Sequence, residues 1–251
     1  MKIIGIIPAR LAATRLPNKP LLDILGKPLI QRVWERASQA KCLDGLFVAT
    51  PDQAIYDAVV SFGGKAVMTS VKHRSGTDRL AEAVADRSAD IVVNIQGDEP
   101  LIDPASIDIA VVPFLEDPSL QMASLMCPCP ESDEDNPACV KVVCDVNRNA
   151  IYFSRSKIPY QRSPDNSSKV MQHVGLYAFR REFLLQFASM QATPLELSES
   201  LEQLRALEHG VKIRMVEISE SAPSIDTPDD LIAVCDRLRI NNKAGISKIY
   251  C

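Results

Sequence analysis

The segment Pro8-Ala9-Arg10-Leu11-Ala12-Ala13-Thr14-Arg15-Leu16-Pro17-Asn18-Lys19-Pro20 sets three cations within ten residues, among prolines and small side chains. It follows an apolar run, Ile3–Ile7, that reads as a buried parallel strand. A triphosphate carries about four negative charges, and Arg and Lys presented at a strand's carboxyl end are suited to meet them. A solvated loop with scattered charges would not need this position or the geometry that proline fixes. The chain has neither G-x-G-x-x-G nor G-x-x-x-x-G-K-[ST], which sets aside an ordinary dinucleotide fold and a P-loop NTPase.

Three further segments carry candidate chemistry. His73-Arg74-Ser75-Gly76-Thr77-Asp78-Arg79 offers hydroxyls, a turn glycine and an anion-pairing Arg, although Asp78 can equally cap the following helix. Asn94-Ile95-Gln96-Gly97-Asp98-Glu99-Pro100 ends a buried strand on a carboxylate. Mg2+ favours such a place, since it takes one or two carboxylates plus substrate phosphates. In Ser224-Ile225-Asp226-Thr227-Pro228-Asp229-Asp230, helix capping accounts for Thr227, Pro228 and Asp230 but does not require Asp226. Arg155 closes Tyr152-Phe153-Ser154-Arg155 and suits a carboxylate ligand. Leu197, Leu201 and Leu204 form one stripe of a helix over Glu196–Glu208, leaving Glu199, Glu202 and Gln203 on the other side. A solvated helix face is the competing reading.

These residues must be held by regular elements. Apolar runs at Ile3–Ile7, Leu46–Ala49, Ala66–Met68 and Ile91–Ile95 alternate with helical patterns at Pro28–Ala40, 52–62 and 78–87. That rhythm predicts a mostly parallel sheet flanked by helices, whose ligands bind at the carboxyl ends of the strands. Farther on, the pattern predicts strands at Val140–Cys144, Ala150–Phe153, Val174–Phe179 and Lys212–Ile218. Helices are expected at 180–190, at 194–208 and from Thr227-Pro228, with a tail that frays after Asn241. Residues 1–251 read as one domain with a polar arm around 146–172.

Composition narrows the class. The chain has 251 residues, 46% hydrophobic and 24% charged, with net charge −4. There is no global basic field for nucleic acid or anionic membrane, so a bound anion must meet a local cluster. No apolar stretch is long enough to span a membrane. MKIIGIIPAR is too short and too early interrupted for a signal peptide, and a cytoplasmic chain is expected. Seven cysteines include Cys127, Cys129, Cys139 and Cys144, whose C-P-C-P spacing is not that of a zinc knuckle. A disulfide framework does not suit a cytosolic chain.

Taken together, these segments resemble the 3-deoxy-manno-octulosonate (Kdo) cytidylyltransferase family over about residues 2–238. The phosphate loop is similar to its P-A-R-x-x-x-T-R-L-P-x-K-P-L signature, and S-G-T-D-R, V-N-I-Q-G-D-E-P, D-T-P-x-D-L, Y-F-S-R, H-V-G-L-Y-A-F-R and S-L-E-Q-L-R resemble further family segments. The family usually has Gly at Asn18, Ser or Gly near Ala13, and Asp-Asp where this chain has Pro51-Asp52. The resemblance implies a nucleotide-diphospho-sugar transferase fold and transfer of CMP from CTP to Kdo, giving pyrophosphate and CMP-Kdo for lipopolysaccharide synthesis. It implies nucleotide contacts from Ala9, Arg10, Arg15, Lys19, Arg74, Ser75, Thr77 and Asp78. It implies sugar contacts from Gln96, Arg155, His173, Tyr177, Glu202 and Gln203. Lys19, Asp98 and Asp226 would be catalytic, with Mg2+ on Asp98 and Asp226. A homodimer is expected from the same resemblance. The rivals are a synthetase for another acidic sugar, such as a sialic acid or 8-amino-Kdo, and a GT-A glycosyltransferase. The latter normally has a D-x-D motif, which Gly97-Asp98-Glu99 is not.

Overall fold

The computed structural model describes residues 1–12, 16–73, 75–163 and 168–247, with 241–247 given by their backbone alone. β1 (Ile3–Pro8) runs through the centre of the sheet. Ile3 and Ile7 enter one core and Ile4 and Ile6 the other, because successive strand residues face opposite sides. Its start is pinned by Asp90 Oδ2, which accepts from Lys2 N (2.6 Å), and by Asp44 Oδ2, which accepts from Ile3 N (2.7 Å).

A 3-10 turn (Lys19–Leu21) and the ribbon of β2 (Asp23–Ile24) and β3 (Lys27–Pro28) lead into α1 (Leu29–Ala37). The chain then alternates through β4 (Gly45–Thr50), α2 (Gln53–Ser61), β5 (Ala66–Met68), α3 (Gly76–Val84) and β6 (Ile91–Asn94). Next come α4 (Pro104–Ala110), α5 (Pro113–Glu116), β7 (Met122–Pro128), β8 (Lys141–Cys144), β9 (Ala150–Ser154) and β10 (Met171–Arg180). The chain closes with α6 (Arg181–Ser189), α7 (Pro194–Glu199), α8 (Gln203–Glu208), β11 (Ile213–Glu217) and α9 (Pro228–Ser247).

The main sheet has the order β11-β7-β10-β6-β1-β4-β5, with β8 beside β10 and β9 beside β8. β1 pairs parallel with β4 and β6, β4 with β5, and β7 with β11. β10 runs antiparallel to β6, β7 and β8, and β9 antiparallel to β8. Only β10 and β9 oppose the common direction, so the sheet is mixed and mostly parallel. One face is covered by α1, α2, α4 and α9 through residues such as Val33, Ile55, Ile107 and Val234. The other is covered by α3, α6 and α8 through Leu80, Phe183, Phe187 and Leu204. β4 and β6 leave β1 on opposite sides, so the strand order reverses there. A crevice opens at the carboxyl ends of β1 and β6, the usual ligand position in such sheets.

Three features differ from the sequence reading. β7 is almost wholly buried, yet its Met-Ala-Ser-Leu-Met-Cys run lacks the β-branched residues that mark a strand. The helix expected over 194–208 breaks at Ser200, whose φ of 52° is left-handed. The break turns the helix face over: Leu197 is 68% exposed while Gln203 is only 3% exposed. α9 extends to Ser247, beyond Asn241.

Lys141, at the head of β8, is fully buried. Its Nζ donates to the carbonyls of Asn136 (2.9 Å), Cys139 (2.6 Å) and Arg155 (2.8 Å). These bonds clasp the loop before β8 to the end of β9. Lys141→Met should destabilise the protein by about 3 kcal/mol, because three buried acceptors lose a charged donor. A urea midpoint unchanged from wild type would contradict the clasp.

Candidate active site

The phosphate loop is tied down from the strand outward. Ala9 N donates to Ala49 O (2.9 Å), continuing the β1–β4 ladder. Leu11 N donates to Asp52 Oδ2 (2.8 Å), and Asp52 N donates to Thr50 Oγ1 (3.1 Å). Asp52, which sequence reasoning passed over, thus anchors the loop that carries Arg10. Asn18 holds φ 56°, a left-handed conformation that Gly adopts freely and Asn tolerates better than most residues. This explains why Asn can stand where Gly is usual, and it turns the chain so that Lys19 faces inward. Arg15 lies outside the described residues.

Lys19 Nζ binds two carboxylates, Asp98 Oδ2 at 2.7 Å and Asp226 Oδ1 at 3.0 Å. Residues 98 and 226 are joined by backbone: Ile225 N donates to Asp98 O (2.9 Å). Gly97 lets this loop pass close to the end of β1, since a Cβ there would sit 2.9 Å from Pro8 O. Asp230 Oδ2 accepts from Asp226 N (3.0 Å) and Thr227 N (2.8 Å), while Asp230 N donates to Thr227 Oγ1 (3.2 Å). The capping reading of Thr227 and Asp230 therefore holds, and the cap does not use the Asp226 carboxylate that meets Lys19. One ammonium between two carboxylates marks a position where a cation is at home. Two hard oxygen donors fit Mg2+, which completes its shell with phosphate oxygens and water. Among the described residues, no group of three or more His, Cys, Asp or Glu is arranged to hold a metal.

Ser75 and Asp78 form a capping box on α3: Ser75 Oγ accepts from Asp78 N (3.1 Å), and Asp78 Oδ2 accepts from Ser75 N (3.2 Å). Asp78 is therefore occupied by the helix start, the alternative its sequence left open. Thr77 Oγ1 donates to Glu202 Oε2 (2.7 Å), joining the start of α3 to the start of α8. Arg74 lies outside the described residues. Arg79 was missed by the sequence reading. It is buried, donates to Thr69 Oγ1 (2.5 Å) and Ser70 O (3.2 Å), and lines the same cavity as Arg10. Burial first, and then the charge of Arg10, lower its pKa.

The sugar candidates divide. Gln96 Nε2 donates to Gly175 O (2.6 Å) beside the metal loop. Tyr177 OH donates to Gln203 Oε1 (3.1 Å), and its ring lies 5.3 Å from that of His173. His173 is buried, and burial depresses its pKa to about 3, so it is neutral. Its Nε2 lies 2.9 Å from Ser124 Oγ, which is also within hydrogen-bond distance of the carbonyls of Leu176 (2.9 Å) and Val174 (3.2 Å). Its ring packs between those of Phe153 and Tyr177. The Glu202 carboxyl is raised by burial, partly offset by its hydrogen bonds to Thr77 and Ser75 and by Arg205. Among the described residues, Asn94 Oδ1 and Gln203 Nε2 are buried without a hydrogen-bond partner, an expensive arrangement unless a polar ligand satisfies them, while Glu202 Oε1 has only the Arg205 guanidinium 3.6 Å away. Asn94, opposite Tyr177 across β6 and β10, was not singled out by its sequence. Arg155 is not brought to this group. Its guanidinium donates to Glu199 O (2.7 Å), Pro137 O (2.8 Å) and Ser200 O (3.4 Å).

Ala9, Arg10, Lys19, Ser75, Gln96, Asp98 and Asp226 all line one cavity of about 410 Å³. A larger cleft, about 730 Å³, is lined from α4, α9 and the residues after β11 by a mixture of apolar and charged side chains. It contains Glu99, pushed up to about 8 by burial and then by Asp98, but none of the phosphate loop. The chemistry belongs to the smaller cavity.

A mostly parallel sheet with clustered cations and paired carboxylates at its switch point defines a nucleotidyltransferase. The cytidylyltransferase family model matches residues 4–213. The 3-deoxy-manno-octulosonate cytidylyltransferase of Geobacter metallireducens is 49% identical over 249 residues, 95% of this chain and 98% of that protein. A solved CMP:2-keto-3-deoxy-manno-octonic acid synthetase, complexed with CTP, superposes with a TM-score of 0.93 at 42% identity, covering 96% of this chain and 100% of that one. The 4-diphosphocytidyl-2C-methyl-D-erythritol synthase of Anaerococcus prevotii, at 15% identity and a TM-score of 0.64 over 95% of this chain and 96% of its own, shares the fold alone. This chain belongs to the 3-deoxy-manno-octulosonate cytidylyltransferase family.

Because Lys19 competes for the cation position, Lys19→Met should raise the affinity of the nucleotide-free protein for Mn2+ by about tenfold. Electron paramagnetic resonance of the free ion measures this, and an unchanged affinity would contradict the competition.

Proposed function

We propose that this chain transfers CMP from CTP to Kdo and releases pyrophosphate. The observation that carries the reading is the shared cation position of Asp98 and Asp226, set beside Arg10 and Lys19 in one cavity. The family and the CTP-bound relative support the nucleotide and the sugar.

The sugar's anomeric hydroxyl attacks the α-phosphorus in line. An O–P bond forms, the bond to the β-phosphate oxygen breaks, and the hydroxyl proton is lost to solvent. Such a reaction depends on positioning and charge stabilisation more than on covalent catalysis. Arg10 and Lys19, with Arg15, hold the β- and γ-phosphates and stabilise the leaving pyrophosphate. Mg2+ held by Asp98 and Asp226 would supply positive charge at the α-phosphate and lower the pKa of the attacking hydroxyl. Ser75 and Thr77 face the base side, and Arg74 joins them in this reading. Gln96, Tyr177, Glu202 and Gln203 receive the sugar, and the buried polar atoms of Asn94 and Gln203 that lack a partner among the described residues support a polyhydroxylated ligand there. Arg155 meets the sugar carboxylate by exchanging its carbonyl partners for it. Its Nη1 and Nη2 ends are the exposed ones.

We also infer a homodimer built through the arm at 146–172, supported by the exposure of Val146 (99%) and Tyr160 (89%) and by the open edge of β9. Residues 164–167 of the arm lie outside the described residues.

Pyrophosphate release should require CTP, Mg2+ and Kdo together, fall to background when any one is omitted, and be much slower with a sialic acid or 8-amino-Kdo. Release without Kdo, or equal rates with all three sugars, would overturn the assignment. Asp98→Asn should lower kcat by about 10²-fold or more while CTP still binds by calorimetry.

A further inference from the structure

The cysteine-rich stretch finds no use in the reaction, yet the fold brings two of its thiols together. Cys129 Sγ and Cys139 Sγ lie 3.6 Å apart, although ten positions separate them in the chain. Their neighbours do not share this contact: Cys127 is buried in β7, and Cys144 Sγ lies 3.7 Å from Met126 Sδ. Cys129 is half-buried and therefore reachable, whereas Cys139 is buried behind it. Both ends of the pair are fixed by backbone. Cys129 N donates to Val170 O (2.9 Å) and Cys139 N to Asn136 O (3.1 Å).

The loop between the two thiols is a hub. Its Asn136 and Cys139 carbonyls take Lys141 Nζ, and its Pro137 carbonyl takes Arg155 Nη1. Its Glu134 pairs with Lys157 at 2.7 Å. The arm, the buried Lys141 clasp and the proposed sugar-carboxylate residue therefore all hang on the segment that Cys129 and Cys139 bracket.

We propose that Cys129 and Cys139 are a thiol–disulfide exchange site for small-molecule disulfides of the glutathione class, and that their oxidation staples this loop. The Cys129 thiolate attacks one sulfur of the incoming disulfide, forming a mixed disulfide and expelling one thiolate. The Cys139 thiolate then attacks Cys129 Sγ and expels the second. The two cysteine protons pass to the two released thiolates, so the protein gains one S–S bond and the small disulfide becomes two thiols. The order follows access: the reachable sulfur is attacked through first, and the buried one resolves. Burial raises both thiols above their ordinary range, while Lys141 pulls both down. Exchange is therefore slow near neutrality and accelerates as pH rises.

The consequence for catalysis rests on the reading of Arg155 as the sugar-carboxylate contact. A stapled loop keeps the Pro137 carbonyl in place on Arg155, so releasing Arg155 to a ligand becomes harder.

The test uses the intact protein with oxidised glutathione at pH 8, quenched with iodoacetamide, digested and read by mass spectrometry. The expected product is a peptide cross-linked between Cys129 and Cys139 that dithiothreitol reverses. Cys139→Ser should instead accumulate glutathione on Cys129, and Cys129→Ser should form no cross-link. Wild-type protein in which both residues are recovered alkylated, or in which glutathione stays on Cys129 beside an alkylated Cys139, would overturn the proposal without recourse to any variant. In the cross-linked enzyme the Michaelis constant for Kdo should rise several-fold with that for CTP unchanged. A cross-link that forms and leaves the Kdo constant unaltered would overturn the coupling to Arg155 while the exchange site stands.

Discussion

Two carboxylates close enough to share one ammonium repel each other strongly, and the rest of the structure serves to hold them there. Asp98 comes from the end of β6 and Asp226 from the loop before α9, far apart in the chain. Neither side chain could keep its place by its own preference. The backbone bond from Ile225 N to Asp98 O, the turn closed by Asp230, and the missing side chain at Gly97 fix the pair from behind. Lys19 offsets one of the pair's two negative charges from the front. In the proposed function such a site would take a divalent cation and a polyanion together, the cation meeting the carboxylates and the polyanion meeting Lys19.

The sheet explains why these groups meet at all. Strand order reverses at β1, so the loops after β1 and β6 rise on either side of one crevice. Asp52 draws the phosphate loop toward β4, and the capping box of Ser75 and Asp78 starts α3 against it. Thr77 then reaches Glu202, so the segments proposed to face the base and the sugar are joined by a hydrogen bond. The break at Ser200 matters as much as the contact. A continuous helix would have put Gln203 in solvent, whereas the left-handed residue turns it inward beside Tyr177.

Much of this was legible in the chain, and the remainder has physical reasons for being hidden. Alternating apolar runs and helical stripes revealed β1, β4, β5 and β6, and the cations and carboxylates at their ends needed only a strand's direction to be located. β7 escaped because Met, Ala, Ser and Cys pack well in a buried strand without announcing one. Arg79 and Asn94 escaped because each sits inside a motif with more conspicuous neighbours, and only burial distinguishes them. Asp78 and His173 carry a different lesson. Both lie in segments that resemble ligand-binding motifs, and each already has a partner within the protein, Asp78 in a helix cap and His173 beside Ser124. Position in a motif identifies the neighbourhood, and hydrogen bonding decides which side chains remain available to a ligand.

The account stands on one shared cation position, and anomalous scattering from a crystal grown with CTP and Mn2+ tests it directly. The predicted result is a manganese peak within coordination distance of both Asp98 and Asp226, with Lys19 withdrawn from them to the nucleotide phosphates. A peak elsewhere, with Lys19 still bridging the two carboxylates, would contradict it.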